Sequence, residues 1–407
     1  MTIKGLIKKI IPKFLLRFYH FCLALFGAVI FSFPGLPRRV KAGKSKNMKI
    51  IGVTGTSGKS TTTDFITRIL EEAGNKVASL SSIRFKIGEK EWENKYKMTM
   101  PGRFVIQKFI KQAKQAGCNF VVLEVTSEGI RQFRHKFINF DCAVFTNLTP
   151  EHIESHGGFE NYRNEKLKLF KATKNIHVIN EDDENAGYFL KIPAKQKIMF
   201  SGENAKDIDF DSAMIRGFNV LNALSAISVA KAYGINLDVC KKALEKIKAI
   251  SGRMEVITEN PIKVVVDYAH TPAQLEAVYK SFGEKNLVCV LGSCGGGRDK
   301  WKRPELGKLA EKYCKEIIIT NEDPYDEPPM EIIREVASGI QDPTPNTQHL
   351  ILDRKEAINT AIKLAKPGEV VIITGKGSEP WMCVENGKKI PWDDRQIVRE
   401  SLAKINH

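Results

Sequence analysis

Paired cysteines are missing from this sequence. Its eight cysteines are scattered singly from Cys22 to Cys383, with no C-x-x-C pair and no spacing suited to zinc or to a disulfide framework. Several of them, such as Cys142 and Cys289, close short apolar runs that resemble strands. We therefore expect reduced cysteines, mostly buried as small apolar residues, which excludes zinc fingers and disulfide-stapled secreted domains.

Signals for nucleic-acid binding and for membrane crossing are also weak. Aromatic residues do not alternate with Arg and Lys as they do in single-strand-binding proteins, so no nucleic-acid partner is expected. The N-terminal apolar run, residues 18–33, is shorter than the roughly 20 residues of a spanning helix. No A-x-A cleavage site follows it, which argues against a cleaved signal peptide.

Residues 1–48 form a basic and apolar segment ahead of the first strand. Cations lie on both sides of its apolar run: Lys8, Lys9, Lys13, Arg17, Arg38, Arg39, Lys41 and Lys44. Residues 8–33 could contact the anionic inner face of a membrane, or their helix could pack against the protein itself. In both cases we expect a cytoplasmic protein, and in the first case one that is associated with that membrane face.

The rest of the chain predicts an α/β fold. Its 407 residues, 43% of them hydrophobic, can bury two cores, and the formal net charge of +16 suits anionic partners such as nucleotides. Strand-like runs alternate with helical patterns, which predicts parallel sheets covered by helices. The runs are 49–54, 120–125, 142–146, 177–180, 263–266, 288–291, 317–320 and 370–374.

A domain boundary is expected near residue 250. A long helical stretch, residues 219–249, ends there at the turn Ser251-Gly-Arg253, which separates the first four strand-like runs from the last four. We therefore predict a central P-loop NTPase-like parallel-sheet domain, residues 49–250, followed by a Rossmann-like C-terminal domain, residues 251–407.

A glycine-rich phosphate loop follows the first strand. It consists of Thr54, Gly55, Thr56, Ser57, Gly58, Lys59, Ser60 and Thr61, and a helical pattern continues to residue 73. The glycines let backbone N–H groups approach phosphate oxygens, Lys59 neutralises phosphate and Ser60 can ligate Mg²⁺. The loop predicts a nucleotide site, but by itself it would fit a kinase, a GTPase, a motor or a ligase.

The remaining motifs resemble those of the Mur ligase family, over about residues 49–400. Thr99-Met-Pro-Gly102 resembles its Thr-Thr-Pro stretch, Leu123-Glu-Val-Thr-Ser127 its Glu-Val-Ser-Ser motif, and Asp267-Tyr-Ala-His-Thr-Pro272 matches nearly letter for letter. The resemblance is closest to the MurE type, which adds the third peptide residue. It implies an ATP-dependent ligase of peptidoglycan precursor synthesis that joins an amino acid to a UDP-muramoyl peptide through an acyl phosphate.

Metal ligands are expected in the central domain. Glu124 ends a hydrophobic strand near the phosphate loop, where a carboxylate can hold Mg²⁺ together with Ser60. By resemblance, His152 would be a ligand of a second Mg²⁺ and Lys166 would be carbamylated, which turns a cation into a metal-organising anion. The alternatives are a structural histidine and an unmodified surface lysine.

The resemblance also implies binding roles for other residues. Those that would line the nucleotide, besides the phosphate loop, are Asn147, Asn222, Arg253, Asp267 and His270. Those that would contact the acceptor are Thr99, Pro101, Thr126 and Ser127. Arg298 would grip the carboxylate of the incoming amino acid, a bidentate role that lysine fills poorly. The other residues implied around that amino acid are Asp323, Tyr325, Gly375 and Glu379.

Three departures leave the substrate open. The family's N-terminal uridine-binding domain has no counterpart in this sequence, so a lipid-linked or shortened acceptor is an alternative to a UDP-linked one. The family's Asp-Asn-Pro-Arg appears as Glu322-Asp-Pro-Tyr325. This change removes the Arg that clamps diaminopimelate, while Asp323 and Glu379 would suit an ammonium such as that of lysine. Glu128 and Ser378 stand where the family usually has histidine.

Three other functions compete with this hypothesis. The first is another ligase of the same broad fold, of the folylpolyglutamate synthetase or cyanophycin type. The second is a membrane-associated ATP-binding partner that has lost ligase activity, and the third is a signalling P-loop NTPase. The Asp-Tyr-Ala-His-Thr-Pro and Trp392-Asp-Asp-Arg395 stretches favour the muramoyl-peptide ligase.

Overall fold

The computed structural model describes residues 12–37, 47–96, 98–205, 208, 215–283, 286–341 and 347–405. Most of the cations that flank the N-terminal apolar run lie outside the described residues, and so does most of the stretch that joins this run to the first strand. The strands, in chain order, are β1 Lys49–Thr54, β2 Val77–Leu80, β3 Arg84–Ile87, β4 Lys90–Glu93, β5 Phe120–Glu124, β6 Cys142–Phe145, β7 Ile176–Asn180, β8 Gln196–Phe200, β9 Glu255–Thr258, β10 Lys263–Val266, β11 Leu287–Leu291, β12 Cys314–Thr320, β13 Thr347–Ile351, β14 Val370–Ile373, β15 Trp381–Cys383 and β16 Lys389–Pro391.

The helices are numbered in the same way. They are α1 Lys13–Ile30, α2 Lys59–Glu72, α3 Arg103–Gln115, α4 Ser127–Arg131, α5 Ile153–His156, α6 Phe159–Ala172, α7 Ala186–Leu190, α8 Asn219–Ala232, α9 Leu237–Glu245, α10 Pro272–Lys280, α11 Lys302–Tyr313, α12 Pro329–Ala337, α13 Arg354–Leu364 and α14 Asp394–Ile405. Short 3₁₀ turns occur at Gly202–Ala205 and Glu385–Gly387.

The chain forms two compact units. The first contains the described residues up to Thr149 together with Phe159–Ile247, and the second contains Pro150–Gly158 and the residues from Lys248 onward. The short segment Pro150–Gly158 therefore packs with the C-terminal half, although its position in the sequence had placed it in the central domain.

The first unit is built on a sheet in the order β4-β3-β2-β5-β1-β6-β7-β8. The strands from β2 to β8 in this order are parallel, and β3 and β4 extend one edge in antiparallel fashion. The central strands β1 and β5 consist almost entirely of buried residues, as expected for strands covered by helices on both faces. The carboxyl end of β1 opens directly into the phosphate loop.

The second unit has a sheet in the order β13-β12-β11-β14-β10-β9, in which only β9 runs antiparallel to its neighbour. Helix α10 shows how local sequence sets an element: Pro272 opens the helix, and the Thr271 side chain accepts a hydrogen bond from the Gln274 N–H at 3.3 Å. A small hairpin of β15 and β16 completes the unit. The α/β prediction with two parallel sheets is confirmed.

Two expectations about local structure were wrong. The helical stretch 219–249 is broken into α8 and α9, because Gly234 takes a left-handed φ of 76° and Asn236 caps the next helix by accepting from the Asp238 N–H. Cys289 and Cys314 form a disulfide with Cα atoms 6.1 Å apart. Parallel pairing of β11 with β12 brings these two cysteines together, and their sequence separation gave no sign of it.

Helix α1 packs on α3 in the first unit, as one of the two interpretations of the N-terminal segment proposed. Within the described part of the chain, no helix has both the length and the apolar character needed to cross a membrane.

Candidate active site

The phosphate loop is shaped by one glycine and one asparagine. Gly58 has a left-handed φ of 77°, and a Cβ at this position would collide with the Asn222 side chain on α8. Asn222 also accepts a hydrogen bond from the Thr62 hydroxyl at 3.4 Å, and its amide donates to Asn219 Oδ1 at 2.9 Å. Helix α8 therefore contacts the first turn of α2, where a phosphate would meet the helix N-terminus.

Asn147 fixes the tip of the loop. Its Oδ1 accepts from the Ser57 N–H at 2.8 Å, its Nδ2 donates to the Ser57 carbonyl at 3.2 Å, and its own carbonyl accepts from the Thr56 N–H at 2.9 Å. Lys59 folds back so that Nζ donates to the Thr56 carbonyl at 2.8 Å. The structure thus places Asn147, Asn222 and Lys59 around the loop.

Ser60 and Glu124 meet beside the loop. The Ser60 hydroxyl donates to Glu124 Oε2 at 2.9 Å, and the same oxygen accepts from the Ser82 N–H at 2.9 Å. Ser60 Oγ also lies 2.7 Å from Ser82 Oγ. Glu124 is buried. A buried carboxylate next to a hydroxyl is a donor set that Mg²⁺ accepts, so these residues fit the cation that the family implies.

No larger metal cluster forms within the described residues, where no three His, Cys, Asp or Glu side chains are gathered as ligands.

Lys166 is a buried lysine. It lies on α6 with 1% of its surface exposed, so the alternative of a surface lysine is wrong. Its Nζ donates to the Gly55 carbonyl at 2.7 Å and lies 4.4 Å from the centre of the Tyr162 ring. The Tyr162 hydroxyl is 3.0 Å from the Thr56 hydroxyl. Lys166 and Tyr162 therefore both contact residues of the phosphate loop.

The two predicted acceptor stretches also meet. Thr126 caps α4 by accepting from the Gly129 N–H at 3.1 Å, and Gly129 contacts the Met100 side chain, which lies between Thr99 and Pro101. Arg134 ties the stretches together, since it donates to the Met100 carbonyl and to Gln132 Oε1. Ser127 and Pro101 are buried. Burial lowers the pKa of Arg134 to about 10, and it remains a cation at pH 7.

His152 lies in the second unit. It takes a left-handed φ of 58° just before α5, and Asp299 holds this turn by accepting from the N–H groups of Ile153 and Glu154 at 3.1 and 3.0 Å. His152 Nδ1 is 4.0 Å from Glu151 Oε1. Because His152 and the loop belong to different units, its role as a metal ligand remains a prediction.

Glu151 forms a buried ion pair. Lys302 Nζ is 3.4 Å from Glu151 Oε1 and donates to the His270 carbonyl at 3.0 Å. Burial raises the pKa of Glu151, and Lys302 offsets part of that rise. Burial and then Lys302 lower the pKa of His270 well below its usual value, so its ring is neutral at pH 7.

Asp267 organises the end of β10. Its two oxygens accept from the N–H groups of Met254 and Ala269, each at 2.7 Å. Burial raises the pKa of Asp267, while Arg253 lowers it. The Arg253 guanidinium stacks 4.2 Å from the Tyr268 ring, and His270 Nδ1 lies 2.8 Å from the Tyr268 carbonyl. The structure therefore brings the predicted nucleotide residues Arg253, Asp267 and His270 into one neighbourhood.

The residues expected around the amino acid surround one buried lysine. Lys376 Nζ donates to Asp323 Oδ1 at 2.9 Å and to Glu379 Oε2 at 2.6 Å. Burial lowers the pKa of Lys376, but Glu379 and Asp323 outweigh burial and raise it. That Asp323 and Glu379 bind a substrate ammonium therefore stays a prediction, and the ammonium would have to compete with Lys376.

The other predicted residues line the same region. Tyr325 has a left-handed φ of 54° and contacts Gly296, while Gly375 has a φ of 106° and contacts the Glu322 side chain. Glu322 Oε1 accepts from the Cys294 thiol at 3.1 Å. Arg298 follows Gly296 and Gly297 in the sequence and is exposed.

Sequence reasoning missed four contributors: Ser82, Tyr162, Glu151 and Lys376. Lys376 stands inside the motif Gly375-Lys-Gly-Ser-Glu379, so that motif was the signal for it. Glu151 is adjacent to His152 and Tyr162 lies four residues before Lys166, so both stand beside residues that the resemblance indicated. Ser82 contacts Ser60 and Glu124, which are 22 and 42 positions away, and no local pattern indicates it.

Family models match both halves of the chain. The Mur ligase middle domain matches residues 53–216, and the Mur ligase, glutamate ligase domain matches residues 252–377. UDP-N-acetylmuramoyl-L-alanyl-D-glutamate–2,6-diaminopimelate ligase of Syntrophomonas wolfei is 36% identical over 389 residues, which are 88% of this chain and 79% of that protein. The chain belongs to the Mur ligase family. The UDP-N-acetylmuramyl-tripeptide synthetase of a Roseiflexus species is 34% identical and covers 89% of this chain and 80% of its own.

Solved structures agree on the fold. A structure of UDP-N-acetylmuramoyl-L-alanyl-D-glutamate–2,6-diaminopimelate ligase matches with a TM-score of 0.58 at 30% identity, over 90% of this chain and 80% of that one. The folylpolyglutamate synthase of Mycobacterium tuberculosis reaches a TM-score of 0.65 at only 15% identity, over 87% and 92% of the two chains. Backbone similarity therefore does not separate the two kinds of ligase, whereas sequence identity favours the Mur ligase.

This Mur ligase is thus an ATP-dependent enzyme that forms amide bonds, and the predicted resemblance to the MurE type is confirmed.

Proposed function

We propose that this Mur ligase activates the carboxylate of a UDP-muramoyl-peptide-like acceptor with ATP and joins one amino acid to it, in the cytoplasm. The observation that carries the proposal is the convergence of Lys59, Ser60, Glu124 and Lys166 on one phosphate loop. Two more residues, Asn147 and Asn222, hold that loop in shape. We also propose that residues 8–33 make peripheral contact with the inner face of the membrane.

Activation begins with attack by an acceptor carboxylate oxygen on the γ-phosphorus of ATP. The bond from that phosphorus to the β,γ-bridging oxygen breaks, ADP leaves and an acyl phosphate forms. Lys59, whose Nζ donates to the Thr56 carbonyl, would donate to a phosphate oxygen instead and neutralise the developing charge. The N-terminus of α2 adds further donors, whereas the N–H groups of Thr56 and Ser57 already donate to Asn147.

Two Mg²⁺ sites are part of the proposal. Bound Mg²⁺ would supply charge neutralisation at the phosphate oxygens. Ser60 and Glu124 would hold the first ion, and His152 with a carbamylated Lys166 would hold the second. In carbamylation the Lys166 amine attacks carbon dioxide and loses a proton, and the product is an anion. The position of Lys166 Nζ beside the phosphate loop supports this role, because a Mg²⁺ ion bound there would neutralise the carbamate and offset its loss of hydration.

Amide formation completes the reaction. The free amine of the amino acid attacks the acyl carbon, phosphate leaves and the amine loses a proton. Arg298 would hold the carboxylate of the amino acid, and Tyr325 and Gly375 would shape the space around it. The charges on Asp323 and Glu379 would favour an ammonium-bearing side chain such as that of lysine over the distal carboxylate of diaminopimelate.

The test is phosphate release from ATP and Mg²⁺ with UDP-muramoyl-dipeptide and a panel of amino acids that includes lysine and diaminopimelate. We expect release to require both the acceptor and one amino acid of the panel. Release without the acceptor would reveal a simple nucleotide hydrolase. If no amino acid of the panel causes phosphate release although ATP still binds, the UDP-muramoyl acceptor is rejected. The assay would then be repeated with a lipid-linked acceptor.

A further inference from the structure

Helix α1 buries small residues and exposes large apolar ones, which is the reverse of an ordinary surface helix. Its small residues Ala24, Gly27 and Ala28 face the protein, and Ala24 and Ala28 are 2% and 0% exposed. Gly27 lies against Arg103 and Phe104 at the start of α3. Its large apolar residues face outward instead, with Phe14 and Phe18 exposed by 68% and 66%. A surface helix normally buries its large apolar side chains, so this outward face requires a cover.

The outward face is continuous along the helix. Besides Phe14 and Phe18 it includes Tyr19, Leu25, Phe26 and Val29, all of them exposed. Phe14, Phe18, Leu25 and Val29 are separated by four, seven and four residues, which places them on one side of the helix, and Tyr19 and Phe26 widen that side into one stripe. An 18-residue helix is about 27 Å long, so the stripe is long enough to lie along a surface. We refer to these six residues as the outer face of α1.

The charge around α1 favours an anionic cover. The first 48 residues contain ten Lys and Arg and no Asp or Glu, in a chain whose formal net charge is +16. Cations also lie at both ends of the helix. The Arg17 guanidinium is 5.9 Å from the Phe133 ring near its start, and Lys111 Nζ is 5.8 Å from the Phe31 ring just after its end. An apolar stripe with cations at both ends matches the interface of an anionic bilayer, where acyl chains lie beneath negative headgroups.

We propose that the outer face of α1 is a docking surface for an anionic lipid bilayer, in which the helix lies parallel to the membrane plane. The large apolar side chains insert below the headgroups, while Arg17 and Lys111 contact phosphates. The small residues on the opposite side let the helix sit close against α3, so the protein body rests on the membrane through a single layer of helix.

This arrangement has a consequence for the acceptor, and that consequence rests on the proposed function. Arg103, the residue after the acceptor stretch 99–102, donates to His20 Nδ1 at 2.5 Å and to the Gln132 carbonyl at 2.8 Å. The acceptor stretch would therefore lie about one helix diameter, roughly 10 Å, from the lipid. An acceptor that is carried by a lipid, or released near one, would meet the enzyme at that distance.

The test is binding of the full chain to vesicles, measured by co-sedimentation at low salt. One set of vesicles contains phosphatidylcholine alone, and the other contains phosphatidylcholine with phosphatidylglycerol. The triple variant Phe14→Ser, Phe18→Ser, Val29→Ser should bind the anionic vesicles more than tenfold less well than the natural chain. The control Met199→Ser, Leu237→Ser, Leu352→Ser removes three exposed apolar residues elsewhere and should bind like the natural chain.

Circular dichroism and thermal unfolding of both triple variants establish that each is folded. Because every substituted side chain is exposed, neither variant should lose more than a few degrees of Tm. Raising the salt concentration should weaken binding of the natural chain.

Three results would overturn the proposal. Equal binding to neutral and anionic vesicles would show that charge does not drive the binding. Equal binding by the two triple variants would show that the outer face of α1 is not the binding surface. A concentration-dependent dimer in light scattering that the Phe14, Phe18 and Val29 substitutions abolish, without vesicle binding, would assign the face to a second copy of the chain. None of these outcomes depends on phosphate release, so the docking surface and the ligase function can fail separately.

Discussion

The two units hold their functional residues by different means. In the first unit, the phosphate loop is fixed by neutral hydrogen bonds to the main chain, such as those of Asn147 with Ser57. In the second unit, the predicted substrate region is held by buried charges, in which Lys302 meets Glu151 and Lys376 meets Asp323 and Glu379. The first kind of site is preorganised by chain geometry, whereas the second depends on charge balance.

The difference explains how visible each site is in the sequence. Glycines and an asparagine that shape a turn leave a local signature, because a left-handed φ such as that of Gly58 restricts the residue at that position. A buried ion pair leaves none. Lys302 and Glu151 are 151 positions apart, and Lys376 and Asp323 are 53 apart. The comparison predicts that the first unit is impaired mainly by the loss of individual hydrogen-bond donors, and the second mainly by the loss of a buried charge.

Removal of the Lys59 ammonium from the phosphate loop should have the largest effect of all on the reaction rate. In Lys59→Met the phosphate oxygens lose the ammonium that would neutralise them, and we expect kcat to fall about 10²- to 10³-fold. Steady-state phosphate release measures this effect. The exposed Lys363→Met should retain the natural rate, and thermal unfolding should show both variants intact. A fall of less than tenfold in Lys59→Met would mean that the loop does not act on the transferred phosphate.

The second effect is on the stability of the second unit. Arg354 and Asp394 form an ion pair with both side chains 0% exposed, at 2.9 and 2.8 Å. Arg354→Met leaves the Asp394 carboxylate buried without that partner, which should cost about 3–5 kcal/mol of unfolding free energy. Denaturant unfolding measures it. The exposed pair Lys308–Glu305 provides the control, since Lys308→Met should change stability by only about 0.5 kcal/mol.

The double variant Arg354→Met, Asp394→Leu sharpens this prediction. Because it removes both charges, it should recover most of the lost stability. If the double variant is no more stable than Arg354→Met, the cost arises from packing, and charge balance is not what holds this unit together.

The third effect is a pH dependence in the first unit, from a group outside the loop. Burial, together with Lys136 and Lys168, lowers the pKa of His135 from the ordinary value of 6.5 to about 3. Below pH 6.5 the unfolded chain takes up a proton that the folded chain refuses, so stability falls as pH falls. Between pH 7 and pH 5 this loss should be about 2 kcal/mol.

Denaturant unfolding at the two pH values measures the His135 effect. His135→Gln should remove most of the difference between pH 7 and pH 5, although it can lower stability at both. If His135→Gln keeps the full pH dependence, another group is responsible for it.

The sequence predicted much of the fold because its central strands are continuous apolar runs. All eight predicted runs correspond to strands, from β1 to β14. The strands that were missed lie at sheet edges or in hairpins, for example β4, whose four residues are all exposed. Most such strands lack the apolar pattern because they have little to bury, although the missed strand β2 is buried along its whole length.

The candidate site could be predicted in part. Ser60 and Glu124 were expected together because both follow parallel strands at the same sheet edge, and they lie 2.9 Å apart. The burial of Lys166 and the position of Lys376 between two carboxylates could not be foreseen, because periodicity does not show which charged side chain turns inward. The disulfide between Cys289 and Cys314 was missed for the same reason, since it depends on the register of β11 with β12.

The smallest effect concerns the choice of amino acid. By the resemblance in sequence, Tyr325 stands where the family has an Arg that would clamp a carboxylate, and its backbone has a φ of 54°. Tyr325→Arg should restore a planar, bidentate donor and raise the preference for diaminopimelate over lysine by about tenfold in kcat/KM. Phosphate release with each amino acid gives the ratio. Tyr325→Lys adds the positive charge without the planar, bidentate guanidinium, so it should shift the ratio of diaminopimelate to lysine use less. An equal shift in both variants would show that net charge alone selects the amino acid, which would make the balance of Lys376 with Asp323 and Glu379 the determinant of specificity.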